Sequence, residues 1–514
     1  MADLEFIHPD QAVEKATENT HTSALQHQHE DLALTQELEQ GNLASTLEQE
    51  QEDRLSGLPD DILFSILERL ELFEAARTSV LSTRWRYLFH FRSRINMDIR
   101  SFYKRYKGEL SRDGVVQMNA SMVKMVKNML AHKIEYPISL LRVRFILMEE
   151  CIDIIHCVDN AMANRKIAAL HLLMRPEIMG VDCGEDDRIN YGRQFMRFFD
   201  AGSHAFDGLS YLHIECVTLS INDMANVLDK CNKLQHLSLH RCDCGTQSVL
   251  NIEHAQLTTL KFSYCGFETV QLTCLPRLIS VTCQAWTASE NQYPLSFGYV
   301  PQLLKIILRN GCTVLHKVIQ LSEFLSNLMI YELDLDFACE RIWIQPESLK
   351  QAGPSLQNLQ FLCLRGIHEE CDLDWTLFVL EAAPLLKKMH VQVWNHRRCP
   401  HEEEVPLELY EALYQRTWIY DSLTWEAPSD LKHYGLDDLI IYGYQIEEKF
   451  TRYIRRIVEA AVNLERIILL DGATCERCKF SPSTRFPRTE EERSMTRKQI
   501  LEWSSRPIKI GIAV

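Results

Sequence analysis

The residues best placed for chemistry are two cysteine couples and a small histidine cluster. Cys475 and Cys478 form a C-x-x-C, a spacing shared by zinc sites and redox centres. A four-ligand zinc site needs a second pair or suitably placed histidines, and a redox centre needs a thioredoxin-like context; neither accompanies them. Cys242 and Cys244 are a closer couple, and His27, His29 and Glu30 sit together in a stretch without cysteine or a second histidine pair. Nowhere does the chain contain GxxxxGK[ST], GxSxG or HExxH, the arrangements that cradle phosphate, expose a nucleophilic serine or hold a hydrolytic metal. Its many lone His and carboxylate residues read as surface or satisfied core groups. The expectation is a non-enzymatic chain with no catalytic residues, no metal and no cofactor.

Another kind of chemistry, burial of apolar surface against a second protein, is written between Asp53 and Phe91. Ile62, Leu63, Ile66, Leu67 and Leu70 recur at helical spacing and make one wide apolar face. Pro59 with Asp60 and Asp61 suits a helix start, since proline tolerates the first turn and carboxylates favour the positive helix end. A second helix is expected over Phe73 to Leu81, and Ser82 is placed to cap a third that carries Trp85, Leu88 and Phe89. Three short helices are too small to bury all these side chains internally. The surplus implies either docking to a partner or a helical cap that seals the next domain, and periodicity leaves both open.

The order of residues resembles the F-box: Leu58-Pro59-Asp60, then Ile62, Leu63, Ile66 and Leu67, then Val80-Leu81-Ser82 and Arg84-Trp85 with Leu88. Thr83 stands where that family often has lysine. The resemblance, covering Arg54 to Phe91, implies binding to a Skp-type adaptor, and through it to a cullin and a RING subunit that recruits the ubiquitin-charged conjugating enzyme. It puts Leu58, Pro59, Ile62, Leu63, Ile66, Leu67 and Trp85 on the adaptor-facing surface or its support, without dividing the two roles.

Beyond Arg100 one phrase keeps returning: apolar, two spacers, apolar, one spacer, apolar. It stands at Leu140/Val143/Phe145, Ile167/Leu170/Leu172, Leu209/Leu212/Ile214, Leu234/Leu237/Leu239, Leu257/Leu260/Phe262, Leu278/Val281/Cys283 and Leu303/Ile306/Leu308. From Leu234 to Leu303 the starts lie 23, 21 and 25 residues apart, within the period of leucine-rich repeats. Further copies begin at Ile330, Leu359, Leu386, Leu436 and Leu464. Cys242 and Cys265 occupy the Asn/Cys place of the repeat and are read as structural. The fold class is therefore α/β: a short three-helix F-box followed by a curved leucine-rich repeat solenoid. From Leu431 the order LDDLIIYGYQ, a helix over Glu447 to Ala461, then NLERIILLDG resembles the FBD-type tail that follows F-box and leucine-rich segments in plant proteins.

Composition bounds the partners. Residues 1–52 hold twelve acidic side chains against one lysine, most of the net charge of -16, and too few apolar residues to offset the entropy of folding. They are expected to be a disordered acidic tail, followed by the F-box over 53–98, the repeats over 99–430 and FBD-like units over 431–514. Without a clustered basic surface, nucleic acid is not an expected partner. No apolar run is long enough to span a bilayer and no signal peptide is visible; the 17 scattered cysteines fit a reducing compartment. An intracellular protein, nuclear or cytoplasmic, is expected, with no membrane contact.

The function implied is substrate recognition for a Skp-cullin-F-box ubiquitin ligase, the repeats binding a target protein. A non-degradative interaction protein and a small-ligand sensor using the concave face are the alternatives. Strand alternation aims His236, Ser238, His240, Thr259, Lys261, Ser263, Lys305, Arg309, Glu332, Asp334, Asp336, Arg365, Lys388 and His390 outward on that face. Of these, His236, Lys261, Lys305, Arg309, Asp334, Arg365 and Lys388 are the expected target contacts, suited to a segment of mixed charge; a merely solvated face is the plainer reading.

Overall fold

The computed structural model describes residues 57–89, 91–103, 112–131, 137–177, 183–245, 248–286, 292–309, 317–339, 342–345, 347–394, 431–472, 485–502, 504 and 506–513. The acidic tail over 1–52 and the Cys475/Cys478 pair lie outside the described residues. One compact unit, from Asp60 to Ile512, contains the elements that follow.

Three helices open it: α1 (Asp60–Arg69), α2 (Leu72–Thr78) and α3 (Thr83–Phe89). Asp60 and Asp61 occupy the first turn of α1, and Ser82 caps α3 by accepting from the Trp85 N–H at 3.3 Å, satisfying a donor the helix itself cannot. The second helix stops three residues short of the expected Leu81. Thr78 and Ser79 turn their hydroxyls back to the carbonyls of Ala75 and Ala76, at 2.7 and 2.6 Å, a local bond that competes with helix continuation. Val80 and Leu81 are left exposed in the turn.

The repeats build one parallel sheet. Its strands are β1 (Arg94–Asp98), β2 (Leu140–Ile146), β3 (Leu170–Arg175), β4 (Leu209–Glu215), β5 (His236–His240), β7 (Thr259–Ser263), β9 (Ser280–Gln284), β11 (Lys305–Arg309), β12 (Glu332–Asp336), β13 (Phe361–His368), β14 (Lys388–Trp394), β15 (Asp438–Tyr442), β16 (Arg466–Leu470) and β17 (Lys509–Ala513), hydrogen-bonded in that order. Each phrase found in the sequence falls on a strand, including the late copies at Ile330, Leu359, Leu386, Leu436 and Leu464. In register, Met97, Val143, Leu172, Leu212, Leu237 and Leu260 form an inward row that continues to Ile467, and all of these are buried. Helices return the chain in most repeats: α4 (Arg112–Ala131), α5 (Ile152–Asn164), α6 (Glu185–Ala201), α7 (Ile221–Lys230), α8 (Leu349–Leu356), α9 (Thr376–Ala382), α10 (Glu448–Ala460) and α11 (Glu490–Leu501).

Three repeats return differently. β6 (Ser248–Glu253), β8 (Phe267–Cys274) and β10 (Leu295–Tyr299) form a second parallel sheet, in the order β10-β8-β6. β6 alternates: Leu250 and Ile252 are buried while Asn251 and Glu253 face water, a period of two that suits a strand. The chain therefore passes between the two sheets from β5 to β11.

A tight turn closes β4, β5, β7 and β9. Cys216, Arg241, Tyr264 and Ala285 follow these strands with φ between 51° and 55°, and each N–H reaches the last carbonyl of the next strand, at 2.8, 2.8, 2.9 and 2.7 Å. The left-handed conformation costs an L-residue about 1–2 kcal/mol, offset here by a satisfied backbone donor. After β15 glycine takes the place: Gly443 has φ 72° and gives its N–H to Leu470 at 3.0 Å. Cys242 and Cys265, one residue past two such turns, donate their thiols to the Ile214 and Leu239 carbonyls at 3.5 and 3.4 Å. Burial raises both thiols above their ordinary range, Cys265 to about 12, so these are structural cysteines as read from the repeat.

Two buried histidines lock the strand entries. His254 Nε2 meets the Cys231 carbonyl at 3.0 Å while its Nδ1 accepts the N–H groups of Gln256 and Leu257. His433 does the same with the Ala383 carbonyl at 2.9 Å and the N–H groups of Gly435 and Leu436. Only the neutral ring with its proton on Nε2 fits, because a second proton would face two donors. Burial lowers both pKa values below the ordinary 6.5. The unfolded chain thus takes up protons near pH 6.5 that the folded chain resists, so this contribution is present above pH 6.5 and is lost as pH falls below it.

Thermal stability should drop between pH 7.5 and 5.5, and a His254→Gln/His433→Gln chain, less stable at pH 7.5, should show a shallower drop; an unchanged slope in differential scanning fluorimetry would exclude these rings as its source. Gly443→Ala should destabilise in urea, since its Cβ would strike the Val393 carbonyl at a positive φ. Gly353→Ala, inside α8 with nothing within 4 Å, should instead stabilise by about 0.5–1 kcal/mol.

Candidate functional site

Two surfaces carry the residues singled out in the sequence. On the first, α1 and α2 pack against α3, which divides the expected adaptor contacts. Leu63, Leu67 and Trp85 are fully buried, as are Ala75 and Leu88, so they form the core of the three helices. They support the surface; they do not compose it. Ile62 is 44% exposed, Pro59 is exposed, and Leu58 and Ile66 are half-buried. Val80, Leu81 and Tyr87 are more exposed than Ile62, at 81%, 60% and 63%. They were not on the list of expected contacts, although Val80-Leu81 is part of the motif. Val80 and Leu81 lie in a non-helical turn, where an apolar residue gives no periodic signal, while Tyr87 lies on α3.

The helices also seal the solenoid. Ser93 at the foot of β1 donates its N–H to Glu68 Oε1 at 2.7 Å, Arg92 Nη2 holds the Leu70 carbonyl at 2.8 Å, and the Phe73 and Phe102 rings meet edge to face at 5.0 Å. The helices thus cap the first strand, while Ile62, Val80, Leu81 and Tyr87 remain exposed.

The second surface is the outward face of the large sheet. His236, Lys261, Lys305, Arg309, Asp334, Arg365 and Lys388 all lie on it by register, but they are not equally available. Lys305 pairs with Glu332 on the next strand at 2.8 Å, and Asp334 lies between Arg309 at 3.5 Å and Arg365 at 3.1 Å. Asp334 is itself buried, as are Ser238, Ser263 and His390. The expectation that these four project freely is corrected: alternation turns them to the outer face, but side chains of flanking strands cover them. Ser238, for example, lies 2.9 Å from His213 Nδ1. The charges that seemed to alternate along the surface largely neutralise one another.

The same pairing recurs elsewhere on this face. Arg144 and Arg100 meet Asp98, Arg175 meets Glu215, and Arg466 meets Asp438. Burial alone would raise the Glu215 carboxyl, but the His213 hydrogen bond at 2.8 Å and the Arg175, His213 and His240 charges hold it down to about 2. His240 is pushed down to about 4, chiefly by burial. Among the described residues no group of three or more His, Cys, Asp or Glu side chains is arranged to hold a metal ion, and no helix is long and apolar enough to cross a membrane.

Three short helices with exposed apolar side chains, joined to parallel repeats, are the arrangement expected of an F-box followed by leucine-rich repeats. Comparison with known families agrees: residues 55–94 match the F-box domain, and residues 181–307 match the family described as FBD-associated F-box protein At5g56370, LRR repeats. The chain is similar to the putative F-box/LRR-repeat protein At3g58880 of Arabidopsis thaliana, 26% identical over 372 residues, which are 65% of this chain and 75% of that protein. It resembles F-box protein At3g59000 of the same plant at 32% over 138 residues, 27% of each. Putative F-box/LRR-repeat protein At5g54820, also from Arabidopsis thaliana, shares 63% identity over 38 residues, 7% of this chain and 8% of that protein.

The ion cluster makes a sharp energetic distinction. Asp334→Asn would remove the carboxylate that pairs with both Arg309 and Arg365, leaving them only Asp336, their register partner, and should cost roughly 3 kcal/mol in urea unfolding. Glu332→Gln, which removes a half-exposed partner of Lys305, should stay within about 0.5 kcal/mol. Equal effects would show that the buried cluster is no more than a surface pair.

Proposed function

We propose that the chain is a substrate-recognition subunit of a Skp-cullin-F-box ubiquitin ligase, working inside the cell in the nucleus or the cytoplasm. The F-box and repeat segments support a substrate-adaptor role of this general type. The observation that carries the adaptor half is the uncovered apolar group Ile62, Val80, Leu81 and Tyr87. Among the described residues, four of the seventeen exposed large apolar side chains fall in this short segment, Ile62 on α1, Tyr87 on α3 and Val80 and Leu81 in the turn before α3, and such side chains are usually covered by a partner. In this reading Leu58, Pro59, Ile62 and Ile66 join them at the adaptor, while Leu63, Leu67 and Trp85 hold the helices in shape.

The chain itself performs no chemistry here. Its contribution is to tether a target beside the charged conjugating enzyme, which raises the local concentration of the reacting groups. The repeat face supplies the target site.

Ile62→Asp/Ile66→Asp should abolish co-purification with a Skp-type adaptor, and Val80→Asp/Leu81→Asp should do the same, each with a melting temperature near that of the parent. Burial of one such side chain is worth about 1.5–3 kcal/mol, and each ~1.4 kcal/mol is a factor of ten in affinity. Leu63→Ala should instead lower stability by roughly 2–5 kcal/mol. Undiminished adaptor recovery from both aspartate pairs would sink the reading.

A further inference from the structure

Most cations on the outer face of the large sheet are neutralised by a carboxylate of a neighbouring strand. Arg94, Arg142 and Lys261 are different: among the described residues none of them has an ion-pair partner, and the Arg142 Nε is buried without a hydrogen bond. Arg142, the register partner of Asn96 on β1, lies in a row that runs on through His171 and Tyr211 to His236, with Lys261 two residues beyond Thr259, the partner of His236 on the neighbouring strand. The three rings form a continuous aromatic strip, with centroids 5.1 Å apart for His171 and Tyr211 and 5.9 Å for Tyr211 and His236. The strip is neutral at pH 7: His171 is pushed down to about 4 by burial and by the cations Arg142, His236 and Arg94, and burial lowers His236 as well.

We propose that this strip, bounded by Arg94 and Arg142 at one end and Lys261 at the other, docks an acidic peptide segment of the target protein. The inference rests on the reading of the repeat face as the target side, and it narrows that reading from a mixed-charge segment to an acidic one. Charge complementarity identifies the occupant. A partly buried guanidinium without an internal carboxylate, as at Arg142, is completed by a carboxylate from outside in charge-assisted hydrogen bonds, the exposed Arg94 and Lys261 add attraction beside it, and ring faces cover apolar or aromatic side chains between them. Geometry gives the spacing. Arg142 on β2 and Lys261 on β7 are separated by four strand intervals, about 19 Å at ~4.8 Å each. An extended peptide rising ~3.3 Å per residue covers that in roughly six residues. The segment expected is therefore acidic at both ends with an apolar or aromatic residue in the middle. A nucleic acid is the less favoured occupant, because two or three cations on a chain of net charge -16 offer little counterion release.

The test uses the full chain and a fluorescein-labelled probe peptide, Asp-Glu-Ser-Leu-Tyr-Ser-Glu-Asp, read by fluorescence anisotropy. The parent should bind it, Arg94→Gln/Arg142→Gln should weaken binding at least about tenfold, and Tyr211→Ala should weaken it too. Lys350→Gln/Lys498→Gln removes two exposed lysines elsewhere and should leave binding unchanged, and Arg142→Lys should restore part of the loss seen with Gln. Absence of binding by the parent, equal binding of the Asn/Gln version of the peptide, equal loss in the Lys350/Lys498 control, or displacement by a single-stranded oligonucleotide at lower concentration than the acidic peptide would each overturn the proposal. Adaptor recovery from the same samples separates the two readings. Peptide binding that survives Ile62→Asp/Ile66→Asp supports an independent docking strip even if the parent never recovers an adaptor, an outcome that would overturn the ligase reading alone.

Discussion

Everything in this molecule depends on the parallel register between neighbouring repeats. A parallel strand of five or so residues cannot satisfy its own backbone groups, so each repeat finds its donors and acceptors only in the repeats beside it. The inward row from Met97 to Ile467 is a consequence of that register, because a slip of one residue would turn every leucine-type side chain to water. Left-handed residues at Cys216, Arg241, Tyr264 and Ala285 are tolerated for the same reason. Each directs its N–H to the adjacent strand, and the gain in a buried hydrogen bond is comparable with the local cost. Even the paired roles of His254 and His433 serve the register, holding the chain at the entry to β7 and β15.

The outward face obeys another constraint. Cross-strand neighbours lie about 4.8 Å apart, so like charges in adjacent strands would repel, and the sequence places opposite charges there: Lys305 beside Glu332, Arg466 beside Asp438, Asp334 between two arginines. A neutralised surface is a poor guide to a partner. The stretch where pairing fails, around Arg94 and Arg142, is where an external charge has most to offer.

The strand positions were legible in the sequence because the phrase of three apolar residues has a short, fixed spacing that survives loops of different length. The F-box helices were legible too, with α1 marked by its apolar face and α3 by Ser82. The second sheet was not. Runs such as VLNIE and QLTC lie in the interval where helices stand in other repeats, and strands of that length carry too weak a signal beside the dominant phrase. The left-handed turns escaped because glycine, their usual mark, appears only at Gly443 among the positions discussed. The candidate site was half legible. Alternation assigned His236, Lys305, Asp334 and Lys388 to the correct face, but burial depends on what the neighbouring strand carries, so the covered state of Ser238, Ser263, Asp334 and His390 could not be read from their own strands. Arg142, His171 and Tyr211 lie on strands whose phrases were found, yet their lack of carboxylate neighbours emerges only when β1 to β7 are set side by side.

The attachment of the F-box to β1 joins the two surfaces mechanically. Glu68 and Leu70 at the end of α1 hold Ser93 and Arg92, so the helices are bonded to the first strand by groups within the same fold and not by a free linker. A long flexible tether would spread the bound target over a large volume and dilute the advantage of proximity, whereas a short bonded joint keeps it within a narrow range of positions. The unpaired arginines lie on the first two strands beyond that joint. Under the proposed function, a target held there would lie close to the three N-terminal helices, and the remaining repeats carry mostly internally satisfied charges.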